Sequence, residues 1–228
     1  MSQLTASNSM TDSTMDFATA RRTMVDGQLR TYDVTDQELL AAFLAVPRER
    51  FVASVHAGIA YLDTDIPVGA KGRRLLQPMI LARLLQAAAI GAQDRVLEVG
   101  CATGYGSAVM ARLAEKVVAL EEEPALVEEA RRNLAALPSV SVVAGALTAG
   151  VPAQAPYDVI VLSGAAEEIP QALFSQLGEG GRLVGIVGRG PATKAMLFRS
   201  VGEVSGRPIF DAAGPRLPGF ARPAAFVF

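Results

Sequence analysis

Tryptophan is absent from this 228-residue chain, and cysteine and histidine occur once each, as Cys101 and His56. One cysteine cannot close an intrachain disulfide, and a lone Cys with a lone His cannot build a zinc cage. Disulfide, thiol-redox and metal-ligating roles are therefore set aside. A Ser/His/Asp triad would rest entirely on His56, in FVASVHAGIAYL, and no nucleophile elbow accompanies it. His56 is read as a structural or surface residue. Charge of one sign is also lacking: the formal net charge is −2 and no long Lys/Arg block is present. Nucleic acid and anionic membrane are therefore not expected partners. The longest apolar stretch, LLQPMILARLLQAAAIGA, is interrupted by Gln77, Pro78, Arg83 and Gln86, so it is too polar to span a bilayer. The opening residues, MSQLTASNSMTDST, have neither a basic n-region nor an apolar h-region and read as a loose tail, not a signal peptide. A cytoplasmic protein is the expectation.

Hydrophobic residues make up 50% of the chain, enough for one well-buried core. A loose tail is expected over 1–15, a helical subdomain over 16–90 and a ligand-binding core over 91–228, together forming one structural domain. In the helical part, Leu39, Leu40, Phe43 and Leu44 recur at helix spacing behind a TDQE capping signal, which starts one helix near Asp36. DTDIPVGAKGRR, residues 63–74, has turn residues without periodicity, and QPMILARLLQAAA resumes the helix with Pro78 at its start.

After Gly91 short apolar strands alternate with helices: RVLEV, KVVAL, YDVIVLS and GRLVGIV, with helices from Gly104, at EPALVEEARRNLAAL and at IPQALFSQL. This order predicts an α/β fold with a doubly wound, mostly parallel sheet and helices on both faces. The Gly- and Pro-punctuated remainder predicts a closing C-terminal antiparallel hairpin.

VLEVGCATGYGS, residues 96–107, is a strand running into a glycine turn and a helix. A dinucleotide fingerprint starting at Gly100 would need glycine at 102 and 105, where the chain has Ala102 and Tyr105. No Gly-Lys-Ser/Thr follows for a phosphate loop. Glu121 ends the next strand, where a carboxylate can accept hydrogen bonds from both hydroxyls of a ribose. The combination suits an adenosine ligand without pyrophosphate. The plainer reading is that Glu121 to Glu123 only open the next helix, where acids complement its dipole.

These residues resemble a class I S-adenosylmethionine methyltransferase, and more narrowly the protein-L-isoaspartate O-methyltransferase family. MVDGQLRTYDVTDQELLAAFLAVPRERFV, residues 24–52, is similar to that family's N-terminal helices, and YLDTDIPVG, residues 61–69, to the segment entering its substrate loop. YDVIVLSGAAEEIP and LGEGGRLVGIVG resemble its later core motifs. The resemblance implies S-adenosyl-L-methionine as cofactor and a protein or peptide as partner, methylated on the free α-carboxyl of L-isoaspartyl residues. Glu98, Gly100, Cys101, Ala102 and Gly104 would then shape the methionine end of the site. Glu121, with Glu122 beside it, would hold the ribose, and Ala146 and Leu147 would flank adenine. Arg73, Arg74, Leu76, Gln77 and Pro78 would form the substrate loop. No general base is implied, because a carboxylate of pKa about 3.5 is already ionised at neutral pH. Cys101 is expected to pack or line the pocket.

Three segments depart from the family pattern. Its loop usually reads Gly-Gln-Thr-Ile-Ser-Gln-Pro, whereas this chain has GRRLLQP, so Arg74 replaces the threonine and Leu76 the active-site serine. Arg73 and Arg74 are read either as solvated loop cations or as binders of an acidic group on a substrate. Ala102 stands where glycine is usual. In VVAGALTAG, Ala146 takes the place of an aspartate that accepts from the adenine amino group, a loss of about 1.5–3 kcal/mol. A second class of function is kept beside the enzyme: a non-catalytic adenosine-ligand sensor or binding protein. So is a methyltransferase for a different acceptor.

Overall fold

The computed structural model describes residues 15–69, 72–190 and 192–222. Most of the expected N-terminal tail, residues 1–14, lies outside them. The helical part contains α1 (Phe17–Met24), α2 (Gln37–Ala45) and α3 (Pro78–Ala88), with a two-stranded ribbon of β1 (Ile66–Pro67) and β2 (Arg74–Leu75) before α3. The core then runs β3 (Arg95–Val99), α4 (Tyr105–Met110), β4 (Lys116–Glu121), α5 (Pro124–Leu134), β5 (Val140–Ala144), β6 (Tyr157–Ala166), α6 (Gln171–Phe174), β7 (Leu177–Val187), β8 (Lys194–Val201) and β9 (Glu203–Asp211).

Helix starts follow local chemistry. Asp36, and not Thr35, is the N-cap of α2, its carboxylate accepting from the Glu38 and Leu39 amides at 3.0 and 3.1 Å. Pro78 occupies the first turn of α3 and Pro124 that of α5, where a missing N–H costs nothing. Asp63 and Asp65 of DTDIP accept from the Met79 and Gln77 amides at the same end of α3, so an aperiodic stretch of sequence serves as a capping platform. The helix expected at IPQALFSQL shrinks to the four residues of α6, because the chain enters β7 at Leu177.

The sheet has seven strands in the order β5-β4-β3-β6-β7-β8-β9. The first five are mutually parallel, and β8 and β9 close the edge as an antiparallel hairpin. Side chains alternate between two buried faces along β3: Val96 faces the core shared with the N-terminal helices, α3, α4 and α5, while Leu97 and Val99 face the opposite core. That second face is covered more thinly, by α6, 3-10 turns and the C-terminal residues Leu217 and Phe220. Because β4 and β5 lie on one side of β3 and β6 and β7 on the other, the chain direction switches between β3 and β6. Ligands of such sheets bind at the carboxyl ends of the strands beside this switch.

Arg48 ties the helical part to that place. Fully buried, it donates from Nε to the Ala60 carbonyl at 2.9 Å and from Nη2 to the Leu76 carbonyl at 2.7 Å, and its guanidinium lies 4.6 Å from the Tyr105 ring centre. Burial pulls its pKa below the usual arginine value. Arg48→Ala orphans two buried carbonyls and opens a void, and it is expected to cost about 3 kcal/mol. Urea unfolding checks this, and an unchanged midpoint would refute the anchoring role.

Candidate active site

Glu98 on β3 and Glu121 at the end of β4 are both buried, at 1% and 0% exposure, which is exceptional for carboxylates without dedicated partners. Their partners are in place. Glu98 accepts from the Ser107 hydroxyl of α4 and from the Ser163 hydroxyl of β6, the latter at 2.5 Å. Gly106 makes this possible, because a Cβ there would lie 2.2 Å from a Glu98 oxygen. Burial pushes the Glu98 carboxyl above its ordinary value; the two serine hydroxyls oppose the shift, and the Glu121 charge adds to it.

Glu121 is held from four directions. Its Oε1 accepts from the amides of Glu122 and Glu123 at 3.0 and 3.2 Å, and its Oε2 from the Ala102 amide at 2.8 Å. The fourth contact is the Arg73 guanidinium, whose Nη2 lies 2.8 Å from Oε2 and 3.1 Å from the Gly100 carbonyl. Arg73 is 3% exposed, so the reading of it as a solvated loop cation is overturned. Nor is it free to meet an acidic group on a substrate while it sits on Glu121. Arg74, by contrast, is exposed and donates to the Asp65 carbonyl.

The turn between β3 and α4 needs left-handed backbone at three alternate residues: Gly100 (φ 81°), Ala102 (φ 52°) and Gly104 (φ 95°). The usual glycine at 102 is thus explained by conformation, and the alanine methyl is tolerated at some backbone cost. Cys101 is buried and its thiol is pushed well above the usual thiol value, chiefly by burial, so it stays protonated and packs. His56 lies in a 3-10 turn, Ser54–Ile59, and borders a separate hollow with Pro67, Val68 and Glu129. Among the described residues no cluster of His, Cys, Asp or Glu could hold a metal.

Glu98, Gly100, Cys101, Ala102, Arg74 and Leu76 border one void of about 10 Å³. The glycine turn and the GRRLLQP segment therefore meet at one place. Leu76 is buried and its carbonyl is taken by Arg48. Gln77 is half-buried at the start of α3, next to the buried Pro78. Leu147 is buried with a methyl 3.6 Å from where a Cβ on Gly100 would be, while Ala146 and Glu122 are exposed. A roomier groove of about 700 Å³, bordered by Val46, Phe51, Arg112 and Arg132, contains none of the expected site residues. Sequence reasoning missed Arg48 and Ser163. Ser163 stands in the carboxyl half of β6, a polar residue among apolar ones, which was an available signal; Arg48 opens the charged trio Arg48-Glu49-Arg50, and nothing in the sequence marks it as the buried one.

The family profile described as Protein-L-isoaspartate(D-aspartate) O-methyltransferase (PCMT) matches residues 20–207. The chain belongs to this family. A protein-L-isoaspartate O-methyltransferase of Methanoculleus marisnigri is 44% identical over 170 residues, covering 74% of this chain and 77% of that protein. One from Methylorubrum extorquens is 47% identical over 174 residues, covering 76% of each. Among solved structures, a protein-L-isoaspartate O-methyltransferase superposes with a TM-score of 0.77 at 29% identity, covering 87% of this chain and 66% of that one. A Plasmodium falciparum protein of this family description, solved with S-adenosyl-L-homocysteine, gives a TM-score of 0.71 at 18% identity and shares the fold. The class I methyltransferase architecture is thus that of the protein-L-isoaspartate O-methyltransferases, a family of S-adenosylmethionine-dependent enzymes.

The raised Glu98 carboxyl gives a pH signature. A carboxyl whose folded pKa exceeds its unfolded value, about 4.3, adds stability that is fully present below that value and is lost as pH rises through the folded one. The stability of the native protein relative to Glu98→Gln is therefore expected to fall with rising pH, by up to about 1.4 kcal/mol per unit within this window. Parallel urea-stability curves from pH 4 to 8 would contradict it.

Proposed function

We propose that this protein transfers the methyl group of S-adenosyl-L-methionine to the free α-carboxylate of L-isoaspartyl residues in proteins, in the cytoplasm. The observation that carries the reading is the buried Glu121 carboxylate at the end of β4, oriented by three backbone amides beside a left-handed glycine turn. An acceptor-only group so placed suits the two hydroxyls of a ribose. Glu98, buried behind the turn and bordering the same void as Leu76, suits the cationic methionine end.

The cofactor supplies a sulfonium methyl. In the transfer the S–CH3 bond breaks as an O–CH3 bond forms on the acceptor carboxylate, and the sulfur keeps the bonding pair as a neutral thioether. Both the attacking oxygen and the departing sulfur are chemically competent at neutral pH, so the protein's part is to align them and exclude water. Without the loop serine, Leu76 offers the acceptor an apolar wall. Arg74 borders the void, is exposed, and uses only one nitrogen on the Asp65 carbonyl among the described residues. Its remaining donors can pair with an acceptor carboxylate. A protein or peptide acceptor, and no nucleic acid, is the partner on this reading.

Labelled cofactor with an isoaspartyl peptide is expected to give a base-labile methyl ester, and the same peptide with ordinary aspartate to give none. Equal labelling of both, or of neither, would refute the assigned acceptor. Glu121→Gln is expected to weaken S-adenosyl-L-homocysteine binding roughly tenfold to a hundredfold, the worth of a charge-assisted hydrogen bond. Calorimetry gives the value, and unchanged affinity would remove Glu121 from the ribose site.

A further inference from the structure

The void between the glycine turn and the substrate loop measures about 10 Å³, room for no more than one water, whereas small-molecule sites occupy roughly 300 Å³ or more. Beside this void, Arg73 sits on Glu121. Its guanidinium donates to Oε2, which it shares with the Ala102 amide, and to the Gly100 carbonyl at the mouth of the turn. We propose that Arg73 is an internal competitor of the cofactor ribose, so that Glu121 is presented to cofactor only when Arg73 withdraws. The inference rests on the methyltransferase reading and assigns a cofactor-gating role to a residue that the family pattern makes glutamine.

Three observations support withdrawal over permanent structural pairing. First, Nε and Nη1 of Arg73 are buried without a partner among the described residues, so only one of the three guanidinium nitrogens is satisfied. A half-satisfied buried cation stabilises its position poorly. Second, Glu121 does not depend on Arg73 for its orientation, because three backbone amides remain when the guanidinium leaves. Third, the Arg73 backbone is anchored independently: its carbonyl accepts from the Val68 amide at 2.9 Å, next to the β1–β2 ribbon. The side chain can swing while the ribbon stays paired. Apparent cofactor affinity is then the intrinsic affinity scaled by the fraction of molecules in which Arg73 is withdrawn.

The test is calorimetric titration of S-adenosyl-L-homocysteine into the native protein and into Arg73→Gln. Arg73→Gln is expected to bind at least tenfold more tightly. Equal or weaker binding by a folded Arg73→Gln overturns the competitor role while leaving the methyltransferase reading intact. If neither protein binds, both fall. If the variant does not fold, a crystal structure of the native protein with S-adenosyl-L-homocysteine decides: ligand bound with the Arg73 guanidinium still on Glu121 overturns the proposal.

Discussion

Glu121 is the point on which the site turns. A carboxylate at 0% exposure is affordable only because backbone amides from two different segments converge on it. One of those amides belongs to Ala102, in a left-handed conformation, and two belong to the residues that open α5. The paths of the glycine turn and of the β4–α5 junction are therefore both fixed by the demands of a single side chain. Arg73 reaches the same oxygen from the segment ahead of α3, so that segment is tied to it as well.

The two buried acids differ in how they are satisfied. Glu98 has only hydroxyl partners from Ser107 and Ser163, and burial drives its carboxyl toward the protonated form. Glu121 has three backbone amides and a guanidinium as partners. One fold thus places two carboxyls at the ends of adjacent strands in different electrostatic settings.

Much of this was legible in the sequence. The β-α alternation after Gly91, the continuous apolar runs of the central strands and the Pro-started helices gave the sheet, its parallel core and its closing hairpin. Glu98, Gly100, Gly104 and Glu121 were identifiable because their spacing tracks a strand-turn-helix unit. What the sequence could not convey is which long side chains fold inward. Arg73 and Arg74 are neighbours of identical type, yet alternation along the β1–β2 ribbon buries one and exposes the other. Arg48 is hidden for a related reason: its acceptors, Ala60 and Leu76, are main-chain carbonyls, which leave no trace in residue identities. The capping role of Asp63 and Asp65 depends in the same way on tertiary proximity to α3.

The departures at Leu76, Ala102 and Ala146 act on separate parts of the site. Ala102 adopts a left-handed conformation within the turn, Leu76 is buried with its carbonyl on Arg48, and Ala146 is exposed beyond β5. None displaces Glu121. The most direct measurement is a crystal structure of the protein with S-adenosyl-L-homocysteine bound. The account predicts both ribose hydroxyls on the Glu121 carboxylate, with the Arg73 guanidinium moved off Oε2. Ligand bound elsewhere, with Arg73 still paired to Glu121, would contradict it.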